Sequence, residues 1–550
     1  MKNLLSFIGI LCLALFVGCS SSPSNSDGSS DSADSQPAIK RARVNVGTET
    51  PSLDPNLVNE ISAYHVIHHL FEPLVRMDEK GLPTDGASIS RTHNDDYTVW
   101  TFKLREGMKW SNGDPVTAGD YVYSIERMLT PDLGSRTATM VYSFLKNGEK
   151  YYKGELKEGE ELGIKALDDL TLEFTLANPT PYFISNLSHS AWYPLNRRTI
   201  EEHGIRWTTD PATFVSNGPF IMTKILPKDR VVVKKNPDFW DAENVYFDEI
   251  EFLYILEQNS ELSSFISKEI DMTGQMSNRE APNWIDKPEF YGAPAIATYY
   301  LAFNHNEPPF TDVNFRKAIS YSIHRSDIVK NVTQRGERAT LGFIPHGITL
   351  SDGREYREFA PKFFEPEDFP AMLEKAKAHL KDSAYGEGGE SIPKVTYLYN
   401  SGDQIHLDVA VRLQNYWEKA FGFTPDLQIL EWKVMIGRMR AEDYQFARSS
   451  WFGDYLDAMT FLEIFETGHG NNNFGYSNPE YDDLLKKIRM ENDVDKRLAH
   501  IIEAEIILLE KDAVVAPVFE YLTPILVQTN FKNFIRTPLG GLDISRAYRE

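Results

Sequence analysis

Three histidines, His65, His68 and His69, stand at i, i+3 and i+4, the spacing that lines imidazoles along one helix face. Such a face can offer nitrogen ligands to a metal. A zinc site needs further His, Cys or carboxylate donors, and none stands nearby in sequence. The alternative is a partly buried helix running into Leu70 and Phe71. Glu160-Glu161 and Asp168-Asp169 are acidic pairs of the kind used for acid–base work, but they read better as solvated turns. No GxxxxGK[ST] phosphate loop, GxSxG nucleophile elbow or HExxH zinc helix occurs. The expectation is therefore no catalytic residues, no metal site and no cofactor.

The two cysteines are Cys12 and Cys19. Lys2 precedes an apolar stretch of about fourteen residues, Leu4 to Val17, short of the roughly 20 that span a bilayer. It ends Phe16-Val17-Gly18-Cys19, similar to a bacterial lipobox, with Phe16 where Leu is usual and the small Gly18 at the cleavage position. Residues 1–18 read as a signal peptide and Cys19 as the acylated first residue of the mature chain; the alternative is an ordinary secretory signal with an incidental cysteine. The Ser-rich stretch within 19–40 can bury no core and reads as a tether. The folded part then carries no thiol chemistry.

The chain has 550 residues with 41% hydrophobic and 25% charged residues, the composition of a soluble globular protein of several domains. A net charge of −23 argues against nucleic acid and against adhesion to anionic lipid. Aromatics make up 12%, which fits either a large core or an aromatic-lined cleft.

Strand and helix signals alternate. Thr98 to Leu104 places Trp100, Phe102 and Leu104 on one face of a strand. Ser111-Asn112-Gly113-Asp114 marks a turn, and Thr117 with Asp120 caps a helix carrying Tyr121, Ile125, Met128 and Leu129. Val395, Tyr397 and Tyr399 mark a further strand. Asp312 caps a helix in which Phe315, Ile319 and Ile323 recur. The class is mixed α/β.

Ordered blocks then resemble the extracellular solute-binding proteins, family 5. They are ETPSLDP at 49–55, FEPLV at 71–75, WSNGDPVTAGD at 110–120, SNGPF at 216–220, NPDFW at 236–240, and PFTDVNFRKA at 309–318 after Ala302-Phe303-Asn304. Each is weak alone, and together they cover the chain from about residue 41. The resemblance implies a two-lobed, periplasmic-binding-protein-like (type II) α/β fold. Lobe I would comprise 41–62, 189–297 and 523–550, an extra subdomain 63–188, and lobe II 298–522. It implies a monomeric, membrane-anchored extracytoplasmic protein that captures oligopeptides and delivers them to the permease of an ABC importer. The alternative is a non-peptide ligand such as a metal chelate, haem or an opine-like conjugate.

Residues 447–455, ARSSWFGDY, are similar to the ligand segment of the family's oligopeptide-binding branch. By that resemblance Asp454 receives the peptide's α-ammonium, and Arg448 and His406 meet its carboxylate. Asn400 lies on the same segment as His406, Trp432 and Trp451 wall side-chain pockets, and Glu49 belongs to the cleft. Local alternatives stand beside these roles. Asp454 can cap the next helix, the tryptophans can be core, and His406 can lie on a helix surface. The chain departs from the branch at His324-Arg325, at Met439 where an arginine is usual, and at Thr137 where a tyrosine is usual, which leaves peptide length and pocket size open.

Overall fold

The computed structural model describes residues 39–550 except 277–278, 387–388 and 402. The signal peptide, Cys19 and the tether lie outside the described residues. No helix among the described residues is long and apolar enough to cross a membrane.

Local sequence rules account for the elements that frame the site. Strand Val99–Leu104 buries Trp100, Phe102 and Leu104, as alternation demands. Helix Ala118–Met128 starts where the Thr117 amide and hydroxyl donate to Asp120 Oδ2 at 2.8 and 3.2 Å. Helix Val313–Tyr321 starts where Asp312 Oδ1 accepts from the Asn314 and Phe315 amides at 2.8 and 3.2 Å. That helix is shorter than its apolar spacing suggests. Ile323 is buried beyond its end, because His324 opens a new short helix, Arg325–Ile328, by accepting the Asp327 amide at 3.3 Å. The strand expected around Val395 spans Thr396–Asn400, with Tyr397 and Tyr399 both buried.

Three larger sheets organise the α/β chain. One runs Arg41–Asn45, Glu249–Leu253, Arg230–Lys235, Phe220–Leu226, its first pair parallel and the others antiparallel. A second, antiparallel, runs Ser88–His93, Val99–Leu104, Thr171–Thr175, Ile164–Asp168. The third runs Arg338–Ala339, Val515–Leu526, Phe290–Phe303, Phe446–Phe452, Thr396–Asn400, Asp426–Leu430.

Two large hydrophobic cores result, which makes the molecule two-lobed. One is drawn from Ile296 to Phe519. The other joins Ala42 to Met272 with Ile525 to Ala547. Strands Phe290–Phe303 and Val515–Leu526 run antiparallel from one core to the other, Tyr291 pairing with Ile525 and Ala302 with Val515. Their register slips between Pro294 and Thr298, opposite Leu522 and Glu520. A bulge of this kind bends and twists the pair, and it falls where the chain passes between cores.

The three histidines of helix Ile61–Leu70 take different hydrogen-bond partners, although His68 and His69 both approach Asp543, at 3.7 and 4.0 Å. His65 Nε2 lies 2.9 Å from the Gly540 carbonyl, and His68 Nδ1 lies 2.8 Å from the Tyr193 hydroxyl. His69 Nε2 accepts the Ile544 amide at 2.9 Å. Two of them therefore pin the helix to the C-terminal segment. Beside them Arg76 is sandwiched by acids: Glu72 accepts at 3.0 and 2.5 Å and Asp543 at 3.1 Å. Burial holds His69 down at about 4 and His65 well below its ordinary value.

Candidate functional site

Strand Phe446–Phe452 sits between Phe290–Phe303 and Thr396–Asn400. Alternation splits its side chains. Arg448 and Ser450 pair with Leu301 and Tyr299 on one face, and Ser449 and Trp451 pair with Tyr300 and Thr298 on the other.

Arg448 is 5% exposed. Its guanidinium donates to Asn400 Oδ1 at 2.8 Å, the Tyr521 hydroxyl at 3.2 Å and Ser450 Oγ at 3.3 Å. It lies 5.2 Å from the Tyr299 ring centroid and 5.8 Å from that of Trp432. Its Nε has no partner among the described residues. All these partners are neutral. A buried cation without a counter-ion is costly unless something supplies the charge.

Asn400 ends strand Thr396–Asn400 and passes its own amide hydrogens to the Ser401 carbonyl at 2.9 Å. His406 lies in the first turn of helix Gln404–Phe421 and is buried, 7% exposed, not on a helix surface. Its Nδ1 lacks a partner among the described residues. Burial, with Arg448 adding, pushes its pKa down to about 4, so it is neutral at pH 7. Trp432 opens helix Trp432–Arg440 behind the capping Glu431 and is 44% exposed, so it is no core residue.

Asp454 follows the strand. Its amide donates to Thr460 Oγ1 at 2.9 Å. The next helix, Met459–Leu462, takes its side-chain bond from Asp457, which accepts the Met459 amide at 2.9 Å. Capping is thus not the task of Asp454. Asp454 is exposed, and its carboxylate opens into the cleft with no cationic partner among the described residues; desolvation by the surrounding cleft walls raises its pKa above the ordinary aspartate value.

Two cavities join at this residue, and a third adjoins the first. The first, of about 280 Å³, is walled by Tyr64, His68, Thr137, Leu456 and Asp543. The second, of about 810 Å³, shares Met140, Asn186 and Asp454 with it. The third, of about 420 Å³, shares Glu60, Ile61 and Thr537 with the first and reaches Ala293 and Ala295 at the bulge. The trough they form is lined by both cores.

The structure therefore brings Arg448, Asn400, His406 and Trp432 together and puts Asp454 at the junction of two cavities. It does not bring Trp451 to Arg448, because that side chain leaves the other face of the strand, half-buried with its indole N–H unpartnered. Glu49 is exposed in the loop after Arg41–Asn45; its neighbour Thr48, not Glu49, lines the third cavity. Sequence reasoning missed Tyr299 and Tyr521, which carry no local signal. It also missed Glu463, whose signal is an acid inside the apolar run Phe461-Leu462-Glu463-Ile464-Phe465.

Known proteins share this architecture. The oligopeptide-binding protein OppA of Bacillus subtilis is 32% identical across 100% of both chains. The unliganded open form of the murein tripeptide-binding protein MppA superposes with a TM-score of 0.83 at 29% identity, covering 93% of this chain and 98% of that one. A second structure, of the Escherichia coli murein tripeptide-binding protein MppA, gives 0.70 at the same identity over 93% and 99%. Residues 85–473 match the profile described as bacterial extracellular solute-binding proteins, family 5 Middle. On that match, and on an identity above 30% along the whole chain, the protein belongs to the family 5 extracellular solute-binding proteins.

Proposed function

We propose that the protein captures oligopeptides between its lobes, outside the cytoplasm, and hands them to the permease of an ABC importer. One observation carries the reading. A buried guanidinium without a counter-ion, Arg448, and a carboxylate with no cationic partner among the described residues, Asp454, lie on one strand-and-turn segment, and Asp454 opens into the cleft. Opposite unpaired charges of this kind complement the two ends of a zwitterionic peptide, the ammonium at Asp454 and the carboxylate at Arg448. The relatives, which include an oligopeptide-binding and a dipeptide-binding protein of Bacillus subtilis, support it.

Peptide ends can be recognised without reading sequence. Main-chain pairing adds affinity common to all peptides, and roomy cavities leave space for water to fit each side chain. Trp432 covers Arg448 and excludes water from the ion pair that forms there. His406, held neutral, can donate one hydrogen bond without adding a second charge. Lobe closure then buries both ends and presents a new face to the permease. The higher TM-score to the open MppA form supports reading this conformation as the open one, with the bulge at residues 295–297 as the bend point. No bond is broken in this reading, and no cofactor is required.

Native mass spectrometry of the purified protein tests this directly. A co-purified ladder of peptide masses is the expected result. A single non-peptide mass, or binding indifferent to capping of both peptide termini, would replace peptide with another ligand.

Three further readings belong to the proposal. Lobe I is assigned 41–62, 189–297 and 523–550, with 63–188 as its subdomain, and lobe II 298–522. The protein works as a monomer. Acylated Cys19 holds it at the membrane through a flexible tether. For the anchor, Cys19→Ala should shift the protein from the membrane to the soluble fraction with its thermal unfolding unchanged.

A further inference from the structure

The largest of the three cavities lies beyond Asp454, between segments 139–144 and 178–186 on one side and 454–490 on the other. Met140, Phe144 and Met490 give it apolar wall. Tyr182 and Tyr455 stack in it, centroids 5.1 Å apart and planes within 6°. Its cations are already engaged. Arg489 donates to both oxygens of Glu466 at 2.9 and 2.6 Å, and Lys486 lies 2.9 Å from Asp483. His469 is depressed by burial.

Glu463 differs. It accepts the Tyr455 hydroxyl at 2.7 Å, and the nearest cation, Arg489, is 3.8 Å away. A carboxylate offers about four acceptor positions, so most of its capacity is unused. Burial raises it to about 7, with Asp454 and Asp457 adding and Tyr455 and Arg489 opposing. A carboxyl in that state gains most from a cation brought to it.

We propose that this cavity takes the side chain of the peptide's first residue and selects a basic one, Glu463 pairing with its ammonium or guanidinium group. The inference rests on the peptide reading, because Asp454, which opens onto this cavity, places the first residue. The methionines and Phe144 cover the aliphatic stem of such a side chain. The volume exceeds that of one side chain, so water fills the rest and the preference is graded rather than absolute.

Calorimetry on the full chain with X-Ala-Ala-Ala peptides, X being Lys, norleucine or Glu, tests it. Lys should bind about tenfold tighter than norleucine, as one charge-assisted hydrogen bond implies. Glu463→Gln should bring that ratio close to one. Ser143→Lys alters an exposed residue of the same cavity, so folding is not at stake. It should weaken the Lys peptide and favour the Glu peptide. Equal binding of Lys and norleucine by the unaltered protein, or an unchanged ratio in Glu463→Gln, overturns the cavity assignment and leaves the peptide reading standing. Failure of every tetrapeptide to bind overturns the peptide reading itself, and the assignment with it.

Discussion

Arg76 and Arg448 are both buried arginines, 7% and 5% exposed, but their surroundings are opposite. Arg76 is held between Glu72 and Asp543, with Ser545 Oγ at 3.1 Å completing its bonds. Arg448 sees an amide, two hydroxyls and two rings. The first arrangement is complete without a ligand and holds the chain together. The second leaves its charge uncompensated inside the molecule. Burial alone does not separate these two charges; what each guanidinium faces does.

The largest expected effect tests the unpaired carboxylate. Asp454→Asn should cut affinity for free peptides roughly 10²–10⁴-fold, since it leaves a buried ammonium unpaired on closure. Thermal unfolding of the unliganded protein should not move. N-acetylation of the peptide should hurt the unaltered protein strongly and the variant little, because both changes delete one pair. Additive losses in calorimetry would break the assignment. Of similar size in stability, Arg76→Met should cost about 3–5 kcal/mol in denaturant unfolding by stranding Glu72 and Asp543. A smaller loss would mean the paired network is not structural.

Arg448→Met sharpens the contrast. It should lower affinity for peptides with a free C-terminus by about 10–100-fold while leaving C-amidated peptides nearly equal, and it should not destabilise the unliganded protein. Destabilisation comparable to Arg76→Met would erase the distinction between the two sites.

The smallest effect separates the histidines. His69 and His406 are both held at about 4, below the ordinary 6.5. The unfolded chain therefore binds more protons. Stability from these groups is complete above about pH 6.5 and is lost as pH falls toward 4. The contribution of these two histidines to the unfolding temperature should be flat from pH 7 to 8 and decline below 6.5, opposed in the same window by Glu463, whose pKa raised to about 7 favours the folded state as pH falls. A peptide carboxylate arriving beside Arg448 should raise the titration of His406, read by NMR, and leave His69 where it was. Equal movement of both, or of neither, would remove His406 from the ligand's vicinity.

Much of the frame was legible in the sequence. Alternation at Trp100, Phe102 and Leu104, and the caps Thr117 and Asp312, are local chemistry that tertiary packing does not override. Ile323 was misplaced because an apolar spacing of four continues across a helix end that a capping histidine imposes. The site was legible only through resemblance. Nothing local to His406 says that it is buried, and nothing local to Arg448 says that its partners are neutral. Those facts depend on Tyr299 and Tyr521, which come from the two strands that cross between the cores. The face of a strand residue is also invisible until register is known, which is why Trp451 and Arg448 read as one site and stand on opposite sides of the sheet.

The clasp between helix Ile61–Leu70 and residues 540–545 has a consequence for how the chain is made. The first strand, Arg41–Asn45, finds its partner only at Glu249–Leu253, and the core it enters is finished by Phe531, Leu542 and Ile544. Contacts of such sequence separation form late, since long loops must close before they reward the chain. The N-terminal lobe therefore stays incomplete until the final residues have been synthesised. A chain that withholds its fold until residues 531–547 arrive stays threadable for longer.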